Sequence, residues 1–277
     1  MNELLLGNEA AIRLSFFTAI FAFMATWEVL APRRTGQVKR RIRWPSNIGI
    51  VVFNTLLLRL VMPTTAVGLA LAGETAGWGL LHQFNLPLWA ASLLAVICLD
   101  LAIYLQHILF HAVPALWRLH RMHHADLAFD VTTGARFHPL EIILSMVIKL
   151  SVIAALGPPA VAVLIFEVLL NALAMFNHAN ARLPLGLDKL LRRAIVTPDM
   201  HRVHHSVIPR EANSNFGFNL AIWDRWFGTY CAQPEAGHQE MNIGISTFRT
   251  ERDLALDKML LQPFKNSVDT YSINKNH

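Results

Sequence analysis

The sequence has 277 residues, 54% of them hydrophobic and 16% charged, with a formal net charge of +5. A charged share well below the ~25% of ordinary soluble domains, with a mean hydropathy of +0.38, excludes a disordered chain and points to a membrane protein. Two cysteines, Cys98 and Cys231, are too few for a disulfide framework or a four-cysteine zinc or iron–sulfur site.

Three stretches reach the roughly 20 apolar residues that a spanning helix needs: Ala10 to Ala31, Asn47 to Ala72 and Leu86 to Gln106. Glu3 and Glu9 precede Arg13 without a basic leader region, so the first stretch reads as a retained anchor. The following loop, RRTGQVKRRIR at 33–43, carries six basic residues and no acidic one. The positive-inside rule places it in the cytoplasm, so the second span runs outward and the third returns Gln106 and His107 to the cytoplasmic face. The second span contains Arg59 and Pro63 and reads as kinked or tilted, with Arg59 paired or reaching for the interface. Basic loops of this kind account for the positive charge as complementarity to a membrane surface rather than to nucleic acid.

Leu140 to Phe176 is interrupted by Gly157-Pro158-Pro159, which predicts two helices folded back as a hairpin with both ends on the cytoplasmic side. The segment LDKLLRRAIV, 187–196, predicts a helix lying in the interface with its basic face toward lipid headgroups. No motif is readable after Gly244, and no internal repeat is present. The expected fold is an all-α integral membrane protein with about four to five membrane helices or hairpins. A helical cap on the cytoplasmic face carries a histidine-rich dimetal site. The expected divisions are anchor helices over 1–99, a catalytic domain over 100–232 and a tail over 233–277.

Ten of the 13 histidines lie between His107 and His205. His107 and His111 are four apart, which on a helix places both rings on one face. His120, His123 and His124 form HRMHH, and the same spacing returns as His201, His204 and His205 in HRVHH. Positions i, i+3 and i+4 present three ring nitrogens to one side, and a doubled histidine can reach two different ions. His178, at the end of the hairpin, is placed to supply a ninth nitrogen. So many imidazoles packed together leave polar nitrogens without partners, at ~1–3 kcal/mol each, unless a cation accepts their lone pairs. Imidazole ligands without thiolates suit iron, zinc, copper and nickel, and nine exceed what one tetrahedral zinc ion can use. Nitrogen-rich coordination with an open position suits iron that binds dioxygen, whereas zinc there polarises water or a carbonyl.

Asp100, seven and eleven residues before His107 and His111, falls on the same helical face deeper in the membrane and is a candidate catalytic or cavity-lining carboxylate. Asp126, Asp130, Glu141 and Asp199 flank the histidine motifs, either orienting ligands or serving as caps and surface salt bridges. Asn177 and Asn180 are candidates to hydrogen-bond a metal-bound water or to shape a turn. His82, His238 and His277 read as structural, and the role of His138 stays open.

The strings HILFH (107–111), WRLHRMHH (117–124), RFHPLE (136–141), FNHAN (176–180), TPDMHRVHH (197–205) and NSNFGFNLAIWDRWFGTY (213–230) occur in the order seen in the fatty acid hydroxylase / sterol desaturase superfamily, which the chain resembles over roughly Asp100 to Tyr230. The resemblance implies a membrane non-haem di-iron centre held by His107, His111, His120, His123, His124, His178, His201, His204 and His205. It implies dioxygen activation with hydroxylation or desaturation of a lipid C–H bond. Where some members carry a second histidine four residues after the intermediate one, this sequence has Arg182, which favours the sterol-desaturase-like bacterial branch. The sequence contains no dinucleotide-binding GxGxxG or haem-domain HPGG, so electrons are expected from a separate NAD(P)H-linked reductase or carrier, docking on the basic loops. Carotenoid hydroxylase and alkylglycerol monooxygenase are the alternatives among enzymes. A metal transporter would string its ligands along a membrane path instead of clustering them at one face.

Overall fold

Twenty-two mostly apolar residues, Glu9–Leu30, form helix α1, with Leu14, Phe16, Phe23 and Val29 exposed around it. This is a computed structural model that describes residues 6–35, 38–266, 271 and 273; Glu3, Gly36, Gln37 and His277 lie outside the described residues. The chain continues through α2 (Arg40–Val61), α3 (Ala66–Ala76), α4 (Leu88–Ala112), α5 (Pro114–His124), α6 (Pro139–Leu156) and α7 (Ala160–Asn177). Shorter helices follow: α8 (Leu185–Leu191), α9 (Pro198–His204), α10 (Pro209–Ala212), α11 (Ile222–Trp226), α12 (Gly237–Glu240) and α13 (Leu256–Leu261). Five segments are long and apolar enough to cross a membrane, and among the described residues there are only isolated β-bridges and no strand.

The second predicted span differs in detail. It begins earlier, at Arg40, and ends at Val61; Pro63 lies in a break over 62–65, after which Thr65 caps α3 by accepting from Gly68 N at 2.9 Å. Proline lacks the N–H and clashes with the preceding turn, so the helix stops there instead of kinking through. Arg59 is exposed in the last turn of α2. α3 then buries Ala66, Val67 and Ala70 against Leu99 and Ile103 of α4 and Val163 and Phe166 of α7. The α6–α7 hairpin matches the sequence reading. Gly157 caps α6 at φ 60, and a Cβ there would stand 2.1 Å from Trp78 O, so only glycine fits both the backbone and the close approach.

Four of the six basic residues of this segment, Arg33, Arg34, Arg40 and Arg43, are engaged inside the protein, while Lys39 and Arg41 are exposed. Arg33 bonds Asp199 at 3.0 Å and Arg40 pairs with buried Glu28 at 3.2 Å. Arg43 is buried between Asp126 at 2.5 Å and Asp130 at 2.6 Å. Burial alone would push the Asp126 carboxyl up, but Arg43 and Arg136 outweigh it and hold it down at about 2. Asp126 and Asp130 are therefore buried ion-pair anchors, not surface salt bridges. The interfacial helix is shorter than 187–196: it ends at Leu191 because Arg192 folds back onto Asp188 at 2.5 Å and donates to Ala232 O at 3.0 Å. Leu185, Leu187, Leu190, Lys189 and Arg193 remain exposed on it.

The division at 99/100 falls inside the continuous helix α4. The tail is also built into the cap. Arg118 donates to Pro263 O at 2.6 Å, Tyr271 stacks on Trp117 with centroids 5.7 Å apart, and Asn213 donates to Tyr271 O at 2.9 Å.

Candidate metal centre

Helix α4 has 25 residues and is therefore about 38 Å long, longer than a hydrocarbon core of ~30 Å requires, and its final turns reach the histidine centre. Those turns carry His107 and His111. Three further helix C-termini converge on the same point. α5, started by Pro114 at its first position, ends in His120, His123 and His124. His178 is the C-cap of α7, and α9, capped by Thr197, carries His201 and His204 with His205 at its C-cap. The C-terminal ends of four helices direct the negative ends of their dipoles at this spot, which favours a cation.

All nine sequence-predicted histidines meet there, in two groups. His107, His111, His120, His124 and His204 form one; His123, His178, His201 and His205 form the other; within each, the candidate nitrogens lie within 4.8 Å of one another. Each doubled histidine is split between the groups. Nε2 atoms face one another at 3.0 Å for His107 and His120, 3.2 Å for His111 and His124, 3.2 Å for His123 and His178, and 3.1 Å for His178 and His201. Two nitrogens bound at right angles to one ion at about 2.1 Å stand about 3.0 Å apart, so these spacings fit shared coordination.

The other ring nitrogens explain why Nε2 faces inward. Nδ1 of His107 donates to Phe216 O at 2.8 Å, that of His204 to Ser214 O at 2.7 Å, and that of His178 to Ala174 O at 2.8 Å. His111 Nδ1 donates to Asn213 Oδ1 at 3.1 Å and His120 Nδ1 to Glu141 Oε1 at 2.6 Å. Placing the proton on Nδ1 leaves the Nε2 lone pair for a metal. All nine rings are buried. Burial first, and neighbouring imidazoles second, hold His123, His124, His201, His204 and His205 well below the ordinary histidine range; burial brings His178 down to about 3. These six rings are therefore neutral and offer lone pairs to a cation. His204 Nε2 and both nitrogens of His205 have no hydrogen-bond partner, and a bound cation would accept the lone pair of one nitrogen of each ring. Two metal ions fit this donor set.

A cavity of about 270 Å³ opens against the five-histidine group, with His107 and His120 in its wall. Phe110, Phe137, Ile142 and Phe218 make it apolar near the histidines. Asp100 lines neither the cavity nor the histidine groups: its Oδ2 accepts from Leu220 N at 3.1 Å and Trp223 Nε1 at 2.8 Å, because α4 faces the 213–230 segment at that depth. Asn180 is likewise occupied, exchanging hydrogen bonds with the Arg34 backbone at 3.0 and 2.9 Å, and Asn177 donates to Phe218 O at 2.8 Å. None of the three makes a hydrogen bond to a histidine of the metal groups. His138 stands outside both groups. It caps α6, accepting from Leu140 N at 3.2 Å and donating from Nε2 to Leu260 O at 3.3 Å. His82 is exposed, and His238 is buried 3.6 Å from Asp199.

Sequence reasoning missed the supporting atoms of the 213–230 segment, since backbone carbonyls carry no residue signature. Asp224 holds that segment by accepting from Phe216 N at 2.7 Å and Gly217 N at 2.9 Å. Gly134 was missed too: a Cβ there would meet Ala174 O at 2.7 Å and His178 Nδ1 at 3.1 Å. Lys149 and Glu167 were visible as charges inside apolar helices but went unread.

Residues 92–229 match the family described as fatty acid hydroxylase. The chain is 30% identical to the ornithine lipid hydroxylase OlsE of Rhizobium tropici over 179 residues, 64% of this chain and 51% of that protein. It is 30% identical to human alkylglycerol monooxygenase over 177 residues, 62% of this chain and 38% of the relative. It is also 30% identical to the fatty acid hydroxylase vlmA of Lecanicillium over 160 residues, 52% and 43% of the two chains. The chain spans about half the length of the first of these curated relatives and less of the other two. No solved structure matches it significantly.

Proposed function

This chain belongs to the fatty acid hydroxylase superfamily through its residues 92–229, and on that premise we propose that it is a membrane-bound, dioxygen-dependent di-iron oxidoreductase that oxidises an aliphatic C–H bond of a lipid. The observation that carries the reading is the pair of buried histidine groups, five and four, with the larger one opening on an apolar cavity. Iron bound by these nine histidines supplies dioxygen activation and cleavage of an unactivated C–H bond.

The chain's own residues do the rest. Glu141, Asn213 and the carbonyls of Phe216, Ser214 and Ala174 hold the Nδ1 protons and fix the ring planes. Asp224 and Asp100 hold the carbonyl-bearing segment in register. Phe110, Phe137 and Phe218 keep water from the face of His107 and His120 where a substrate carbon is presented. Lipid enters laterally from the bilayer, the metal site lies on the cytoplasmic side, and electrons come from a separate NAD(P)H-linked donor. Hydroxylation is favoured over desaturation by the hydroxylase and monooxygenase relatives, among which ornithine lipids and alkylglycerols are the substrate classes to screen first.

Protein purified from iron-supplied cells at low oxygen is expected to hold two irons per chain, one for each histidine group. With a reductase present it is expected to insert one oxygen atom into a lipid. Full iron occupancy after replacing both His123 and His204 by alanine would overturn the ligand assignment.

A further inference from the structure

The cavity has a second polar end. Beyond the histidines its wall is mostly apolar, with Asn54, Gln106, Ser145 and Asn171 among the lining residues, and it ends at Arg13, Lys149 and Glu167, contributed by α1, α6 and α7. Lys149 Nζ lies 2.7 Å from Glu167 Oε1 and Arg13 Nη1 lies 2.9 Å from Glu167 Oε2; Arg13 also pairs with Glu9 at 2.9 Å. The Glu167 side chain is 2% exposed and that of Lys149 11%. Charges within spanning helices are expensive and are kept where they face a cavity or one another for a purpose. Helix packing is not that purpose: replacing a buried ion pair by well-packed apolar residues is often neutral or stabilising.

The orientation of the cluster says what it offers. Each Glu167 oxygen faces a cation: Oε1 accepts from Lys149, while Oε2 stands 2.9 Å from Arg13 Nη1 without a hydrogen bond, that nitrogen donating to Glu9. The ammonium of Lys149 has three donors and the guanidinium of Arg13 has five, and the glutamates take up only part of them. The lumen is therefore presented with hydrogen-bond donors on positive groups. On α6, Glu141 touches His120, and Lys149 follows eight residues later, about 12 Å along the helix. Between them Gln106 donates to Ser145 at 2.9 Å, so those two side chains satisfy each other.

We propose that Lys149 and Arg13, held in place by Glu167, form a headgroup subsite for an amphiphilic lipid. Its anionic acceptor group, a carboxylate or phosphate, sits on the two cations while its alkyl portion runs along the apolar wall to His107 and His120. The inference rests on reading the histidine groups as a lipid-oxidising centre, and it adds that the oxidised carbon is counted from the polar group, not from the methyl end.

Equilibrium binding tests this independently of turnover. The full chain, metal-loaded and in nanodiscs of neutral lipid, is titrated with radiolabelled palmitate, with 1-palmitoyl lysophosphatidate and with hexadecane. Wild type is expected to bind at least one of the two acids more tightly than hexadecane, and whichever acid is preferred identifies carboxylate or phosphate. Lys149→Met is expected to weaken binding of that acid about 10-fold or more, as loss of a charge-assisted hydrogen bond implies. Hexadecane binding and iron content should be unchanged, and Lys149→Arg should keep the affinity. Equal binding of acid and alkane by wild type, binding of neither, or undiminished acid binding by Lys149→Met overturns the subsite. If iron content or lipid oxidation fails in wild type while selective acid binding holds, the oxidase reading is wrong and the subsite stands.

Discussion

Among the described residues, Glu141 is the one side-chain carboxylate hydrogen-bonded to a ring of the two histidine groups, and replacing it tests how far the centre depends on its surroundings. It is 4% exposed, occupies the first turn of α6 and accepts from His120 Nδ1 at 2.6 Å. In Glu141→Ala the His120 ring loses its orienting partner and part of the electron donation that makes Nε2 a good ligand. Loss of such an outer partner costs about 10–100-fold in metal affinity or activity, equivalent to about 1.4–2.7 kcal/mol. Loss of the acid from the first helical turn costs a further ~0.3–1 kcal/mol of helix stability. Glu141→Gln keeps an oxygen that can accept the same proton, so its loss of metal affinity should be smaller than that of alanine. The assay is a competitive chelator titration of iron content, read beside thermal unfolding in detergent. An alanine variant that holds iron as tightly as wild type refutes the role of Glu141 in orienting His120. A variant that unfolds without any change in metal affinity assigns Glu141 to the helix alone.

Removing Arg43 leaves Asp126 and Asp130 buried without their shared cation, so Arg43→Ala should lose about 3–5 kcal/mol, measured as a drop in Tm. Asp224→Ala orphans the Phe216 and Gly217 amides and should cost on the order of 3 kcal/mol while also lowering iron content through His107. Gly134→Ala places a methyl 3.1 Å from His178 Nδ1 and should reduce occupancy of the four-histidine group, leaving one iron per chain by elemental analysis; two irons would mean the loop yields. With metal removed, His123, His124, His201, His204 and His205 stay neutral in the fold but protonate near pH 6.5 when unfolded, so the unfolded state binds more protons at acid pH. Apoprotein Tm should therefore fall as pH drops below about 6.5, and a flat profile down to pH 5 would contradict the buried, neutral site.

The all-helical membrane architecture and the identity of the nine histidines were readable in the sequence because both depend on local periodicity. A run of apolar residues long enough for a bilayer, or a ring every three or four positions, constrains a helix without reference to the rest of the chain. That His123 and His124, or His204 and His205, would part to different ions also follows locally, since consecutive helical residues point about 100° apart. Which histidines share a group was decided by the tertiary structure, through the convergence of four helix ends. The same holds for Asp100 and Asn180: their types and positions suggested chemistry, yet packing turned one to Trp223 and Leu220 and the other to Arg34. His138 illustrates it most simply, because its role is open in the sequence and the Leu140 amide, donating to its Nδ1, makes it the cap of α6. Long-range partners such as Phe216 O, Ser214 O and the Arg13–Glu167–Lys149 cluster join residues 10 to more than 150 positions apart. No local pattern encodes such pairings; they exist only once burial has brought the elements together and left their polar groups no water to bond.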